Sequence, residues 1–157
     1  MRVFRGDLEL QDYLFFATSE RGKVYETGSF VHNYALAYAL RLSSAPYPVA
    51  HQAPRYAEDL SPLNDAAIYV TPAVLEAVDH RLVQFNTLAE GYSFGAKARS
   101  VGYPDWGFLR VIRPGSSFRF YALAPEATKE WSPTAGLAFE GRPVHIRLGK
   151  FLAKARL

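Results

Sequence analysis

The densest set of groups able to grip a ligand lies in residues 89–105, AEGYSFGAKARSVGYPD, where Tyr92, Phe94 and Tyr103 are interleaved with Lys97 and Arg99. Aromatic faces stack on bases and cations neutralise phosphates, so this mixture suits a single-stranded nucleic acid. A surface loop with its rings tucked beneath it has the same composition. Further cations follow: Arg110, Arg113 and Arg119 within 106–124, then Arg147, Lys150, Lys154 and Arg156 towards the end. Lys150 and Lys154 are four apart and share a face if the tail is helical. Arg110 falls in phase with Phe108 and Ile112, so these cations do not form one clean basic stripe. No recognition-helix pattern accompanies them, which points to RNA rather than to base readout in duplex DNA.

A second candidate is the stretch ETGSFVHNYALAYAL, from Glu26 to Leu40. It reads as a helix start behind Gly28 and Ser29, with His32 and Asn33 in the first turn. Free backbone N–H groups at a helix start attract anions, and Arg21 and Lys23 lie just upstream, so a phosphate or a base could dock there. Glu26 opposes an anion, and a plain Ser29 cap accounts for the same residues. His32 as a general base needs a partner, and no spacing supplies one. A hydrogen-bonded structural histidine is the plainer reading. The helix is apolar nearly all the way round, so Tyr34 and Tyr38 read as core or interface.

Other chemistries lack their residues. With no cysteine, disulfides and thiolate metal sites are excluded. His32, His51, His80 and His145 have no i,i+3 or i,i+4 pairing, so zinc spacing is missing. There is no G-x-S-x-G, no phosphate-cradling P-loop and no dinucleotide fingerprint. Glu58 and Asp59 are adjacent and read as a solvated turn. No cofactor, no metal and no catalytic residue is expected.

The charge is lopsided. Residues 1–96 hold 7 Lys and Arg against 11 Asp and Glu, whereas residues 97–157 hold 11 against 4. A basic C-terminal third suits a polyanion partner, although chance segregation of surface charge gives the same count. The opening MRVFRGDLEL carries no continuous apolar run, and the longest apolar stretch is too short to span a bilayer. A cytoplasmic protein with no membrane partner is expected.

The elements that must position these groups can be traced in order. The 157 residues, 49% apolar and 15% aromatic, fit one domain over 1–157 with a core of its own. Residues 2–12 alternate as a half-buried strand, and SERGK is a polar turn. A helix is expected from Phe30 to near Leu42, capped by Ser29. Residues 43–65, with four prolines, read as a long loop or a short hairpin arm. AAIYVT (66–71) is a strand, and RLVQFNTL (81–88) is a strand or a short helix. Residues 106–124 read as a hairpin turning at RPGSS. VHIRLG (144–149) is a last strand, and KFLAKARL is a basic tail or short helix. The order predicts an α+β fold. Its antiparallel sheet would be RNA-recognition-like or ferredoxin-like, with one main early helix and long hairpin or loop arms.

Several segments, in order, resemble one family: LQDYLFFAT (10–18), YETGSFVHNYALAYAL (25–40), PRYAEDLSPLN (54–64), IYVTPA (68–73), FNTL (85–88) and IRLGKFLAKARL (146–157). The chain resembles the Cas-five-type subunit, Csc-one group, of type I-D CRISPR effector complexes. The resemblance implies a modified RNA-recognition-like fold at the foot of Cascade, gripping the five-prime handle of CRISPR RNA. It implies as neighbours a Cas-seven-type backbone subunit, a Cas-ten-type large subunit and target DNA near the protospacer-adjacent motif. A thumb-like hairpin is expected, from 43–65 or 89–105, and this chain is compact for the family. Relatives in another subtype cleave precursor CRISPR RNA. Type I-D-like systems use a separate Cas-six-type nuclease, so a non-catalytic subunit is expected. The alternatives are an endoribonuclease for CRISPR RNA precursors and a structural subunit that touches only proteins.

Overall fold

The computed structural model describes residues 1–45, 55–77, 79–87, 105–126 and 143–157. The chain begins with β1 (Arg2–Leu10), β2 (Ser19–Arg21), β3 (Val24–Glu26), β4 (Phe30–Val31) and α1 (Asn33–Ala39). Then come α2 (Tyr56–Asp59), α3 (Ser61–Asp65), β5 (Tyr69–Val70), β6 (Ala73–Ala77) and β7 (His80–Thr87). The last elements are β8 (Asp105–Ile112), β9 (Ser117–Ala124), β10 (His145–Leu148) and β11 (Ala153–Arg156). This is the expected α+β class.

The strands form two sheets. The larger runs β10-β11-β1-β9-β6-β4, with β5 also pairing β9, and its ladders are antiparallel. The smaller runs β2-β3-β8-β7, with β3 and β8 parallel. The alternation of β1 holds: Leu8 and Leu10 are buried, while Arg5 and Asp7 point to solvent. Opposite them, β9 buries Phe118, Phe120, Ala122 and Ala124. Leu8, Leu10, Phe118, Phe120 and Ala122 meet Leu36 of α1, Leu40 at its C-terminal cap, and Ile146 and Leu148 of β10 in one core. Each large apolar side chain so buried stabilises the fold by roughly 1.5–3 kcal/mol. Gly6 faces Phe120 across the ladder, and a Cβ there would lie 2.2 Å from the ring, so the close approach requires glycine.

Four local expectations are corrected. The 106–124 segment is not a hairpin: β8 pairs β3 and β7 in the small sheet, whereas β9 pairs β1 and β6 in the large one. RPGSS is a corner between sheets, held where Gly115 N–H donates to the Leu10 carbonyl at 2.8 Å and Leu10 N–H donates to the Ser116 carbonyl at 2.9 Å. The helix does not start at Phe30, because Phe30 and Val31 are drawn into a ladder with Val74 and Ala73. His32, not Ser29, is the cap, its Nδ1 accepting from Tyr34 N–H at 3.3 Å. The helix also stops early, at Ala39; Arg41 takes φ 57° and Leu42 N–H closes on the Ala37 carbonyl at 2.9 Å. Residues 66–71 contribute only Tyr69–Val70 as strand. Finally, KFLAKARL, expected as a basic tail or short helix, is a turn followed by strand β11. The 81–88 segment takes the strand alternative, as β7, through Thr87. The described part of 43–65 carries two short helices, and the rest of that arm lies outside the described residues.

Candidate nucleic-acid interface

The large sheet has one face on the core and α1; its other face carries the alternate residues of each strand. At one end of this outer face stand His145 and Arg147 of β10 and Lys154 and Arg156 of β11. Arg147 lies directly opposite Lys154, and His145 opposite Arg156. Like charges directly opposite one another repel. Arg156 is neutralised by Glu9 on β1. Arg147, Lys150 and Lys154 form no ion pair among the described residues; Arg147 instead donates to the Leu152 carbonyl at 3.2 Å. Lys150 lies in the β10–β11 turn, where its N–H donates to the Phe15 carbonyl at 2.8 Å. The expected shared helical face of Lys150 and Lys154 is thus replaced by a hairpin, with one lysine in the turn and one on the strand.

The middle of the same face is neutralised from within. Arg119 on β9 lies 2.9 Å from Asp7 and 3.0 Å from Glu76, and Arg5 reaches Asp7 at 2.8 Å. Burial pushes the Asp7 carboxyl up, but hydrogen bonds from Arg119 and Arg5 outweigh it and hold the group below its ordinary range. The Asp7 carboxylate in turn raises Arg119. Beyond this network the face becomes aromatic, with Tyr121 and Tyr69 exposed on neighbouring strands and Arg5 opposite Tyr121.

The small sheet gathers a second group. Arg21 and Arg110 both flank Glu26: Arg21 lies 3.8 Å from its carboxylate, and Arg110 stands opposite it in register. Lys23 is exposed in the β2–β3 turn, and its carbonyl accepts from Phe108 N–H at 2.8 Å. Arg113 is held by Asp79 at the corner between sheets. His80, on β7, is half-buried; burial, then Arg110, lower its pKa, and its buried Nε2 has no hydrogen-bond partner.

The anion pocket that residues Gly28 to Val31 could have formed lacks its free N–H groups, for two physical reasons. Gly28 N–H is taken by the Thr18 hydroxyl at 2.9 Å, and Phe30–Val31 belong to a ladder rather than to a helix. Ser29 is exposed, with its carbonyl accepting from Leu75 N–H at 3.2 Å, and Asn33 opens α1 half-buried. Tyr92, Lys97, Arg99 and Tyr103 lie outside the described residues. Among the described residues no group of three or more His, Cys, Asp or Glu could hold a metal ion. No helix among them is long and apolar enough to cross a membrane.

Of the rings expected in core or interface, Tyr34 reaches solvent, together with Tyr56. Tyr34 on α1 and Tyr56 on α2 are 40% and 46% exposed, next to His32 and half-buried Tyr38. The four-residue spacing of Tyr34 and Tyr38 puts both on one side of the helix, which is the signal that could have found them.

An open antiparallel sheet, backed by a helix and charged on its free face, is the architecture of an RNA-recognition-like α+β protein. A family model described as "Type I-D CRISPR-associated protein Cas5/Csc1" matches residues 1–157, the whole chain. The chain belongs to this family, as the segment resemblances implied. A comparison with curated proteins gives no match.

Proposed function

We propose that the chain is a non-catalytic subunit of type I-D Cascade that binds and caps the five-prime handle of CRISPR RNA. In this reading it contacts the Cas-seven-type backbone and Cas-ten-type large subunits and lies near the protospacer-adjacent motif of the target DNA. Family membership over the whole chain supports the assembly. The observation that carries RNA binding is the β10–β11 hairpin, where Arg147 faces Lys154 with Lys150 at the turn. Cations that repel each other across a ladder are stabilised by a polyanion. Two features favour a non-catalytic role. His32 spends its Nδ1 lone pair on the Tyr34 N–H. The Tyr38 hydroxyl, in the same pocket, is bound to Asp59 at 2.6 Å.

The test is a gel shift of the purified chain with handle RNA over a salt series, beside incubation with repeat RNA in the absence of metal. Binding that weakens steeply with salt, without cleavage, is expected. Specific cleavage abolished by His32→Ala would make the chain an endoribonuclease. Absence of binding, with RNA in the assembled complex crosslinking only to neighbouring subunits, would leave a purely structural subunit.

A further inference from the structure

We propose that the pocket between α1 and α2 is a stacking site for a single unstacked nucleobase, built by Tyr34, Tyr56, Tyr38 and His32. It lies on the helical side of the molecule, apart from the basic hairpin, and it rests on the reading that the chain binds single-stranded RNA. The pocket has a volume of about 420 Å³ and is lined by His32, Tyr34, Ala35, Tyr38 and Tyr56. Tyr34 and Tyr56 pack with centroids 4.6 Å apart, and Tyr38 meets Tyr56 edge-on at 6.4 Å. His32 sits edge-on to Tyr34 at 5.1 Å. These rings form one platform, yet Tyr34 and Tyr56 leave 40% and 46% of their surface to solvent.

The polar groups select the guest. Because Nδ1 of neutral His32 accepts from Tyr34 N–H, its proton lies on Nε2, which is left as a donor. A donor beside exposed aromatic faces matches the ring acceptors of a base. The alternative guest for a tyrosine cluster is a cation, as in aromatic cages. A free carboxylate would strengthen that guest's binding, and Asp59 and Glu58 are both spent. Asp59 is buried and accepts from the Tyr38 hydroxyl at 2.6 Å and from Arg55 N–H at 3.2 Å. Glu58 is paired with the Arg55 guanidinium at 2.8 Å, which also lies 3.9 Å from Asp59. Arg55 thus occupies both carboxylates, and neither is left to hold a cation over the rings.

The test separates this site from the RNA-capping reading. The full chain, labelled on its tyrosine rings, is titrated with adenosine 5′-monophosphate, ribose 5-phosphate and tetramethylammonium while ring resonances are followed by NMR. The nucleotide should shift rings that Tyr34→Leu and Tyr56→Leu remove, and ribose phosphate should not. The Tyr34→Leu/Tyr56→Leu double variant should bind a single-stranded RNA decamer about 10-fold more weakly or worse, with its salt slope unchanged, because stacking releases no counterions. Tyr56→Phe should keep wild-type affinity. Equal shifts from ribose phosphate, shifts from tetramethylammonium alone, or a double variant that binds the decamer like wild type would each overturn the base site. Nucleotide shifts in a chain that binds no decamer would uphold the pocket and refute the capping reading instead.

Discussion

Removing Arg147, Lys150 and Lys154 together should change RNA binding and leave folding alone, whereas removing Arg119 should do the reverse. The three hairpin cations have no ion-pair partner among the described residues, so each is available to a phosphate. On single strands each neutralised phosphate adds about −0.7 to the slope of log affinity against log salt, so losing three flattens the slope by about 2. Between about 50 and 200 mM salt, the wild type should then lose roughly 20-fold more affinity than the triple alanine variant. The substitutions are at the surface, so the unfolding free energy from urea titration should change by no more than about 0.5 kcal/mol. Arg119 differs because Asp7 and Glu76 hold it at 2.9 and 3.0 Å. Arg119→Ala should lower the urea midpoint and leave the salt slope unchanged. Its pH dependence follows from Asp7, whose native pKa is lowered. That contribution is present above the ordinary carboxylate pKa and is lost as pH falls through the lowered native value. The stability gap between wild type and Arg119→Ala should therefore close in acid. The assays are fluorescence anisotropy with a handle oligonucleotide across salt and urea unfolding across pH. An unchanged slope in the triple variant, or a flattened slope in Arg119→Ala, would refute the division of labour drawn from the ion pairs.

Three further outcomes are expected. Gly149→Ala should lower the urea midpoint far more than Gly22→Ala: both have positive φ, but a Cβ at Gly149 would lie 2.5 Å from the Phe15 carbonyl, while Gly22 has nothing within 4 Å. The Gly22 change should cost about 1–2 kcal/mol from the left-handed backbone alone. Burial and then the Asp59 hydrogen bond push the Tyr38 hydroxyl up to about 12, so its contribution is complete below pH about 10 and is lost as pH rises towards 12. Ultraviolet titration should show one late tyrosine ionisation that Tyr38→Phe removes; an unchanged titration curve in that variant would place the late group elsewhere. Arg147→Glu should turn the repulsive pair with Lys154 into an attractive one, raising thermal stability by a few tenths of a kcal/mol while weakening handle binding.

Much of the strand content was legible because it rests on alternation, which is local. Leu8 and Leu10 against Arg5 and Asp7, or Phe118 and Phe120 against Arg119 and Tyr121, announce strands from composition alone. Pairing partners were not legible. RPGSS specifies a turn, but nothing in it says that β8 and β9 leave it for different sheets. The KFLAKARL tail suggests a helix for another reason: Ala, Leu, Lys and Arg favour helices. Yet Ala153 and Ala155 also alternate with Lys154 and Arg156, and their small side chains fit beneath β1 and β10, so tertiary pairing overrides propensity. The site was legible by residue type only. Arg119 and Arg113 resemble phosphate ligands in the sequence. Their carboxylate partners Asp7 and Asp79 lie 112 and 34 positions away, beyond any local pattern. The apolar wheel of α1 leaves Tyr34 between core and interface, because the packing of its ring on Tyr56 depends on a residue 22 positions away.

The basic hairpin and the α1–α2 pocket share a thermodynamic property that the Arg119 network lacks. In the network each charge meets an opposite one, so the free chain gains from it and a ligand would have to break it. In the hairpin, Arg147 and Lys154 raise the free energy of the unliganded fold, and a polyanion relieves that cost. In the α1–α2 pocket, Tyr34 and Tyr56 hold apolar ring surface in water, and a stacked base removes it from water. A cost borne by the free protein and relieved on binding appears directly as affinity, whereas a satisfied group contributes none. The same reasoning ranks the remaining cations. Arg113 on Asp79 and Arg156 on Glu9 would give up existing partners to reach a phosphate. Arg110, which has no ion pair among the described residues and stands beside a Glu26 already shared with Arg21, would give up less. Arg110 is therefore a small-sheet cation whose loss should register in RNA affinity without a matching loss of stability.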